Sequence, residues 1–148
     1  MNTNIKLNEK IAILAAINPS SINAGTVVSA WVPAANFHSI SAQIQTGAMT
    51  ATGTLDAKLR QATDAAGTGA KDVPGKAITQ ILAASGSNVQ ASIELRAEDL
   101  DVANAFAFVA LSLTIGAAAS IVGAQLLGAN ARYAPASALN ATSVVQVV

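Results

Sequence analysis

Cysteine is absent from the 148-residue sequence. Disulfides and thiolate metal sites are therefore excluded, and no redox compartment can be read from thiols. Histidine occurs once, at His38, which excludes a multi-histidine metal site and leaves at most a lone general base. Aromatic residues are scarce: one Trp, one Tyr and three Phe make 3% of the chain, against 52% hydrophobic residues overall. The difference is largely alanine. A buried aromatic removes about 150–250 Å² from water while alanine contributes little, so a thin core is expected. Net charge is missing as well, since eight basic and eight acidic residues give +0. That removes the basic patch a nucleic-acid binder needs to displace counterions, and no nucleic-acid partner is expected. Zero net charge promotes self-association, which suits a chain whose working state is assembled.

What the chain does have is a charge-free interval between Asp101 and Arg132, centred on residues 105–129, AFAFVALSLTIGAAASIVGAQLLGA. About 20 apolar residues suffice to cross a bilayer as a helix. Against a membrane span stand the many Ala, Gly, Ser and Thr residues, Gln125 inside the window, and the lack of aromatic belts and flanking basic clusters. Ala107, Val109, Leu111, Leu113 and Ile115 share one parity, opposite Phe106, Phe108, Ala110, Ser112 and Thr114. That alternation is a strand signal. The interval is read as a hairpin turning at Gly116-Ala117-Ala118-Ala119, with a return strand from Ser120 to Gly128, and no membrane partner is expected.

Residues 1–8 are polar and read as an arm. Two lysines precede a short apolar run there, but Asn8 and Glu9 interrupt the basic region and no A-x-A cleavage site follows, so the reading is an intracellular start, not a signal peptide. Residues 11–17 form an apolar strand ended by the turn chemistry of Asn18-Pro19-Ser20-Ser21. A β-branched strand at 26–32 stops at Pro33, which has no N–H to donate. In the strand at 37–45, His38 shares parity with Ile40, Ala42 and Ile44, which places it on the apolar side at a sheet margin. Residues 50–62 carry Thr52, Thr54, Asp56, Lys58 and Arg60 on one parity and Gly53, Leu55, Ala57 and Leu59 on the other, one face wet and one packed. A long loop at 63–72 is closed by Val73-Pro74-Gly75. Strands at 76–83 and 89–97 follow, joined by a flexible 84–88 segment, then a turn at 96–101. After the hairpin, residues 132–136 leave the sheet, and the β-branched residues 142–148 read as a terminal strand whose edge invites pairing with another chain. All charges except Lys6, Glu9, Lys10 and Arg132 lie between Asp56 and Asp101.

Eight or nine short strands without alternating helices indicate an all-β, single-domain antiparallel β-sandwich, jelly-roll-like, with an N-terminal arm (1–10), a sandwich domain (11–136) and a C-terminal strand or arm (137–148).

Motifs that could carry chemistry fail one by one. Gly69 to Ala77 has the glycines and lysine of a phosphate-binding loop, but its spacing is one residue too long, Ala77 stands in place of the hydroxyl, and Pro74 removes an N–H donor. Ser39 and Ser41 lie near His38 without a nucleophile elbow. Asp56, Asp64, Asp72, Asp99 and Asp101 form no calcium-binding repeat and read as solvated loop carboxylates. Glu94 and Glu98 share a face with Arg96, which indicates cross-strand ion pairing in place of a hydrolytic pair. Asn140-Ala141-Thr142 matches a glycosylation acceptor, a frequent chance match. No catalytic, cofactor-binding or metal site is assigned.

The order of phrases is similar to that of a known group. Residues 17–22 (INPSSI), 28–32 (VSAWV), 45–49 (QTGAM), 55–72 (LDAKLRQATDAAGTGAKD), 95–101 (LRAEDLD), 111–114 (LSLT) and 132–136 (RYAPA) resemble a family of small virion proteins of tailed bacteriophages and prophages. The likeness spans residues 12–136 and includes no catalytic signature. It implies a β-sandwich in the virion: a capsid decoration (cement) protein on the outside of the shell, made in the bacterial cytoplasm. The implied partners are the major capsid protein and further copies of this chain, as a homo-oligomer such as a trimer. Alternatives are a head–tail connector, a tail or head-fibre component, or a surface carbohydrate- or receptor-binding module, the last with little aromatic surface for stacking on sugars.

Overall fold

The computed structural model describes residues 4–148, so Met1 to Thr3 of the expected N-terminal arm lie outside the described residues. A four-residue helix α1 (Leu7–Lys10) leads into strand β1 (Ile11–Ile22), followed by β2 (Gly25–Val28), β3 (Val32–Pro33), β4 (Phe37–Met49), β5 (Thr54–Ala62), β6 (Lys71–Ala77), β7 (Ile81–Leu82), helix α2 (Ala83–Gly86), β8 (Gln90–Arg96), β9 (Phe108–Gly116) and β10 (Ser120–Ala131). Short 3-10 turns stand at Ala97–Asp99, Val102–Asn104 and Ala136–Leu139. Among the described residues no helix is long and apolar enough to cross a membrane.

Two antiparallel sheets form, one ordered β1-β10-β4-β8 and the other β2-β9-β5-β6, with β3 added to β9 and β7 to β5. The chain changes sheet at every link between long strands except β5 to β6. This strand order is that of a jelly roll, eight strands wound as two Greek keys. The two-residue strands β3 and β7 continue β2 and β6 past interruptions, which reconciles ten strands with the eight of the jelly roll.

Residues 105–129 do not form a hairpin. β9 pairs with β2 and β5, while β10 pairs with β1 and β4, so the Gly116-Ala117-Ala118-Ala119 connection is an arch that carries the chain from one sheet to the other. Alternation gives each strand a core face, and both designs satisfy it equally. β9 is buried on both faces: Val109, Leu111, Leu113 and Ile115 meet the core, while Ala110 and Ser112 lie opposite Arg60 and Lys58 of β5 on the outer side.

Phe37, Ile40, Ile44, Leu95, Val122 and Leu126 of the first sheet face Leu55, Leu59, Leu111, Leu113 and Ile115 of the second. Phe37 is the one buried aromatic, and Ala12, Ala15, Ala42, Ala57 and Ala124 fill much of the rest. Buried polar side chains find partners across the fold, with Arg60 Nε the exception that has no hydrogen-bond partner among the described residues. Ser29 interrupts the β2–β3 edge, and its hydroxyl accepts the Leu111 N–H at 3.0 Å. Gln61 Oε1 accepts the Asp101 N–H at 2.8 Å.

Several boundaries differ from the expected ones. β1 continues through Asn18-Pro19, because a bulge between Ile17 and Ser20 absorbs the proline on an edge strand where its missing N–H costs no ladder bond. β5 starts at Thr54, after a turn. Val73-Pro74-Gly75 lies inside β6, with the loop confined to residues 63–70. The expected strand at 76–83 is split between the end of β6 and β7, and α2 occupies part of the segment read as flexible. His38 is exposed, not packed on the apolar side: Phe37 turns into the core over Gly128, and the alternation slips by one before Ile40. Residues 142–148 form no strand.

Candidate interaction surface

The two outer faces of the sandwich differ in chemistry because their strands alternate against the core with different polar residues. On the β2-β9-β5-β6 sheet, Lys58 Nζ meets Asp72 Oδ2 at 2.7 Å and Arg60 Nε lies 3.4 Å from Asp72 Oδ1. Gln80 donates to Asp56 Oδ2 at 2.7 Å. Lys71 pairs with Asp101 and sits 4.1 Å from the Phe106 ring centroid, and Lys76 pairs with Asp99 at 3.0 Å. The charges of the Asp56–Asp101 interval thus largely neutralise one another, and such half-exposed pairs contribute little each.

Three carboxyls there are held below the usual carboxylate range. For Asp99 the main cause is the Arg96 backbone N–H, donated at 2.9 Å, followed by Lys76. For Asp101 it is the Lys71 ammonium, then the Asn104 amide. For Asp64 it is the Thr68 N–H and hydroxyl, with Ala66 and Gly67 N–H adding to a turn that closes the 63–70 loop.

The outer face of the β1-β10-β4-β8 sheet is almost uncharged. Register aligns Ala16, Gln125, Gln43 and Ser92 in one cross-strand row, Gly123, Gln45 and Gln90 in the next, and Leu127, Ser41 and Glu94 on the other side. Gln43 Nε2 donates to Ser41 Oγ at 2.7 Å and Ser92 Oγ at 2.9 Å. Toward one end the face dips into an open groove of about 640 Å³, where Asn18, Gln45, Asn88, Gln90 and Gln125 surround Ile121 and Pro19, with no charged residue lining it. Gly123 makes the dip possible: a Cβ there would meet Pro19 Cβ at 2.9 Å. An amide and hydroxyl surface of this kind can form many neutral hydrogen bonds with another protein.

The ends of the described chain meet at the free edge of β1. Asn140 Oδ1 accepts the Ile13 N–H at 2.8 Å, and the Ala141 N–H donates to Ile13 O at 2.7 Å. The Ala136–Leu139 turn packs on β1 and α1. In the segments that flank the sandwich, Leu7, Tyr133, Val145 and Val148 are exposed at 68%, 77%, 93% and 98%.

The residues weighed for chemistry are scattered. Most of Gly69 to Ala77 is strand β6, which cannot cradle phosphate at a helix start. His38 stands exposed at the second position of β4. Arg96 pairs with Glu98, two residues on, at 3.0 Å, so the expected cross-strand pairing is a local one, and Glu94 stays on the outer face. Asn140 of the glycosylation-like triplet uses its side-chain oxygen on β1. Among the described residues no three His, Cys, Asp or Glu side chains converge as a metal-binding group. Sequence reasoning missed the amide face. Its signal was present in the shared parity of Ser39, Ser41, Gln43 and Gln45, yet adjacency to Gln90, Ser92 and Gln125 depends on long-range register.

No protein-family model matches the sequence, and no curated protein matches it. Solved structures similar to this chain include a chain of the cowpea mosaic virus top component, naturally occurring empty particles, at 10% identity and TM-score 0.43, covering 87% of this chain and 92% of that one. A chain of Triatoma virus is similar at 11% identity and TM-score 0.47, covering 93% and 71%. A chain of the disulfide-linked pili that form Bacillus endospore appendages is similar at 18% identity and TM-score 0.32, covering 86% and 94%. At these scores the likenesses carry no inference about role, and the jelly-roll assignment rests on the strand order.

Proposed function

We propose that the chain is a non-catalytic structural protein of a tailed-bacteriophage virion, a decoration protein that binds the outside of the major capsid shell and stabilises it. The observation that carries this reading is the nearly uncharged amide face of the β1-β10-β4-β8 sheet, with Glu94 and Arg96 toward one end, joined to the resemblance of residues 12–136 to small phage virion proteins. Such a face suits repeated contact with a protein lattice, since its two charges, Glu94 and Arg96, are opposite in sign and leave little net field to repel a partner or to capture nucleic acid.

Area limits what one copy can do. Four strands about 4.8 Å apart and seven paired residues of about 3.3 Å each make a footprint of roughly 19 by 23 Å, about 400 Å². That is half of the ~800 Å² each partner contributes to a standard interface. A homo-oligomer such as a trimer presents several faces at once, and avidity on the lattice then supplies the affinity that one face lacks. In this reading residues 11–136 are the body, and residues 1–10 and 137–148 are arms that engage neighbours.

The test is addition of purified protein to capsids that lack it. The reading expects saturable binding at lattice-repeated stoichiometry and raised resistance of the shell to heat; binding confined to the portal vertex would assign a connector, and no binding would reject both. A second reading, a module for neutral carbohydrate, is favoured by the charge-free amide groove around Ile121. A glycan array with hits abolished by Gln125→Ala would support it.

A further inference from the structure

We propose that residues 142–148 of one copy add as a strand to the open β2 edge of a second copy of this chain. The donor segment, TSVVQVV, is uncharged and mostly β-branched, the composition of a strand. In its own subunit it has no strand partner, and among the described residues its backbone bond is the local Val144 N–H to Ala141 O at 2.9 Å. Val145 and Val148 are almost fully exposed, and Val147 is 49% exposed. Its own β1 edge is closed at the nearest point, where Ile13 already uses both backbone groups on Asn140 and Ala141.

The acceptor is the mouth of the sandwich between the second half of β1 and β2. Both are edge strands, each with one partner. Between them runs an open groove of about 530 Å³ lined by Ile17, Ile22, Val27 and Val28 with Asn and Ser at its rim, and with no charged residue. Pro19 and the adjoining bulge interrupt the β1 side, which directs an added strand onto β2.

Backbone polarity agrees. The Ser29 N–H donates inward to Leu111 O at 2.9 Å, so alternation turns the Val27 N–H toward β9 and the Thr26 and Val28 N–H groups outward. Four residues of β2 offer about 13 Å of edge, and the donor is about 23 Å when extended, long enough to pair along all of it. Period two then places Val145 and Val147 on the face that enters the groove and leaves Gln146 at its polar rim. The contact is tail to groove, a heterologous interface that closes into a ring, of which a trimer is one case, or runs open-ended. It does not depend on shell binding, so either idea can fail alone.

The experiment compares the full chain, a variant lacking 142–148 and Val28→Pro, which removes an outward N–H without touching the β9 ladder. Mass is followed by light scattering over rising concentration, with thermal melts as a folding control. Val28→Lys, which puts a charge at the groove while keeping the backbone, stands in if the proline variant does not fold. The proposal expects the full chain to associate reversibly, each variant to stay monomeric, and a one-to-one mixture of the two to form a heterodimer, because each supplies the half the other lacks. A monomeric full chain, undiminished association of the truncated chain, or a mixture that stays monomeric overturns it.

Discussion

Gly128 faces the core directly across from Ile40, and a methyl group there would meet the Phe37 ring at 2.6 Å from Cδ1, 2.7 Å from Cε1 and 2.8 Å from Cγ. The ring is 2% exposed and has nowhere to go. Overpacking of this kind costs about 1–3 kcal/mol. Against it, alanine in an extended strand recovers about 0.5–1 kcal/mol of the backbone entropy glycine loses. Gly128→Ala should therefore destabilise by about 1–2 kcal/mol, which for a chain near 150 residues lowers Tm by about 2–8 °C. Urea denaturation followed by Trp31 fluorescence measures this directly. The discriminating background is Phe37→Leu, which opens the space the methyl needs. In that background Gly128→Ala should be neutral or stabilising, a coupling of about 1–3 kcal/mol between the two sites. Equal cost of Gly128→Ala in both backgrounds would refute the packing argument.

Leu111 is 1% exposed and stands opposite Leu59. Leu111→Asp forfeits about 2–5 kcal/mol of packing and buries an unpaired charge, which together rival the ~5–15 kcal/mol that holds such domains folded. The variant should be unfolded by circular dichroism, and a soluble variant with an unchanged melt contradicts the core assignment. Gly67 has φ +82°, and a Cβ there would lie 2.5 Å from Trp31 Nε1. Gly67→Ala should cost about 1–2 kcal/mol from the left-handed backbone alone and shift Trp31 emission; an unchanged spectrum and melt would show that the 63–70 loop does not rest on the indole. The carboxyls of Asp64, Asp99 and Asp101 are held below their unfolded values, so the stability they contribute is present above about pH 4 and is lost as pH falls through their folded values. Tm should fall as pH drops below about 4, and Asp99→Asn should flatten that fall, whereas an identical acid profile in the variant contradicts the assignment.

Period-two patterning made the all-β class, most strand positions and the core faces of β5, β8 and β9 legible from residues alone. It did not reveal partners. Val109, Leu111, Leu113 and Ile115 need one apolar neighbour layer, and the layer is equally well an opposing sheet or a hairpin mate. Only the pairing of β9 with β2 and β5, and of β10 with β1 and β4, decides for the arch. His38 was misplaced for a related reason, since the slip in alternation before Ile40 exists to seat Phe37 over Gly128, a contact 91 positions away in sequence. The β-branched tail at 142–148 has the composition of a strand but no partner within its own subunit, which composition cannot report. The interaction surface was legible in part: Ser39, Ser41, Gln43 and Gln45 share a parity, while their continuity with Gln90, Ser92 and Gln125 depends on register across four strands.

Docking of the nearly uncharged face of the β1-β10-β4-β8 sheet on a virion shell, as proposed, would be visible in a cryo-electron microscopy map of the particle. Density for this chain should repeat over the outer capsid lattice, with Gln43, Gln125 and Ser92 turned toward the shell. A map that places the chain only at the tail or portal, or that turns this face to solvent, contradicts it.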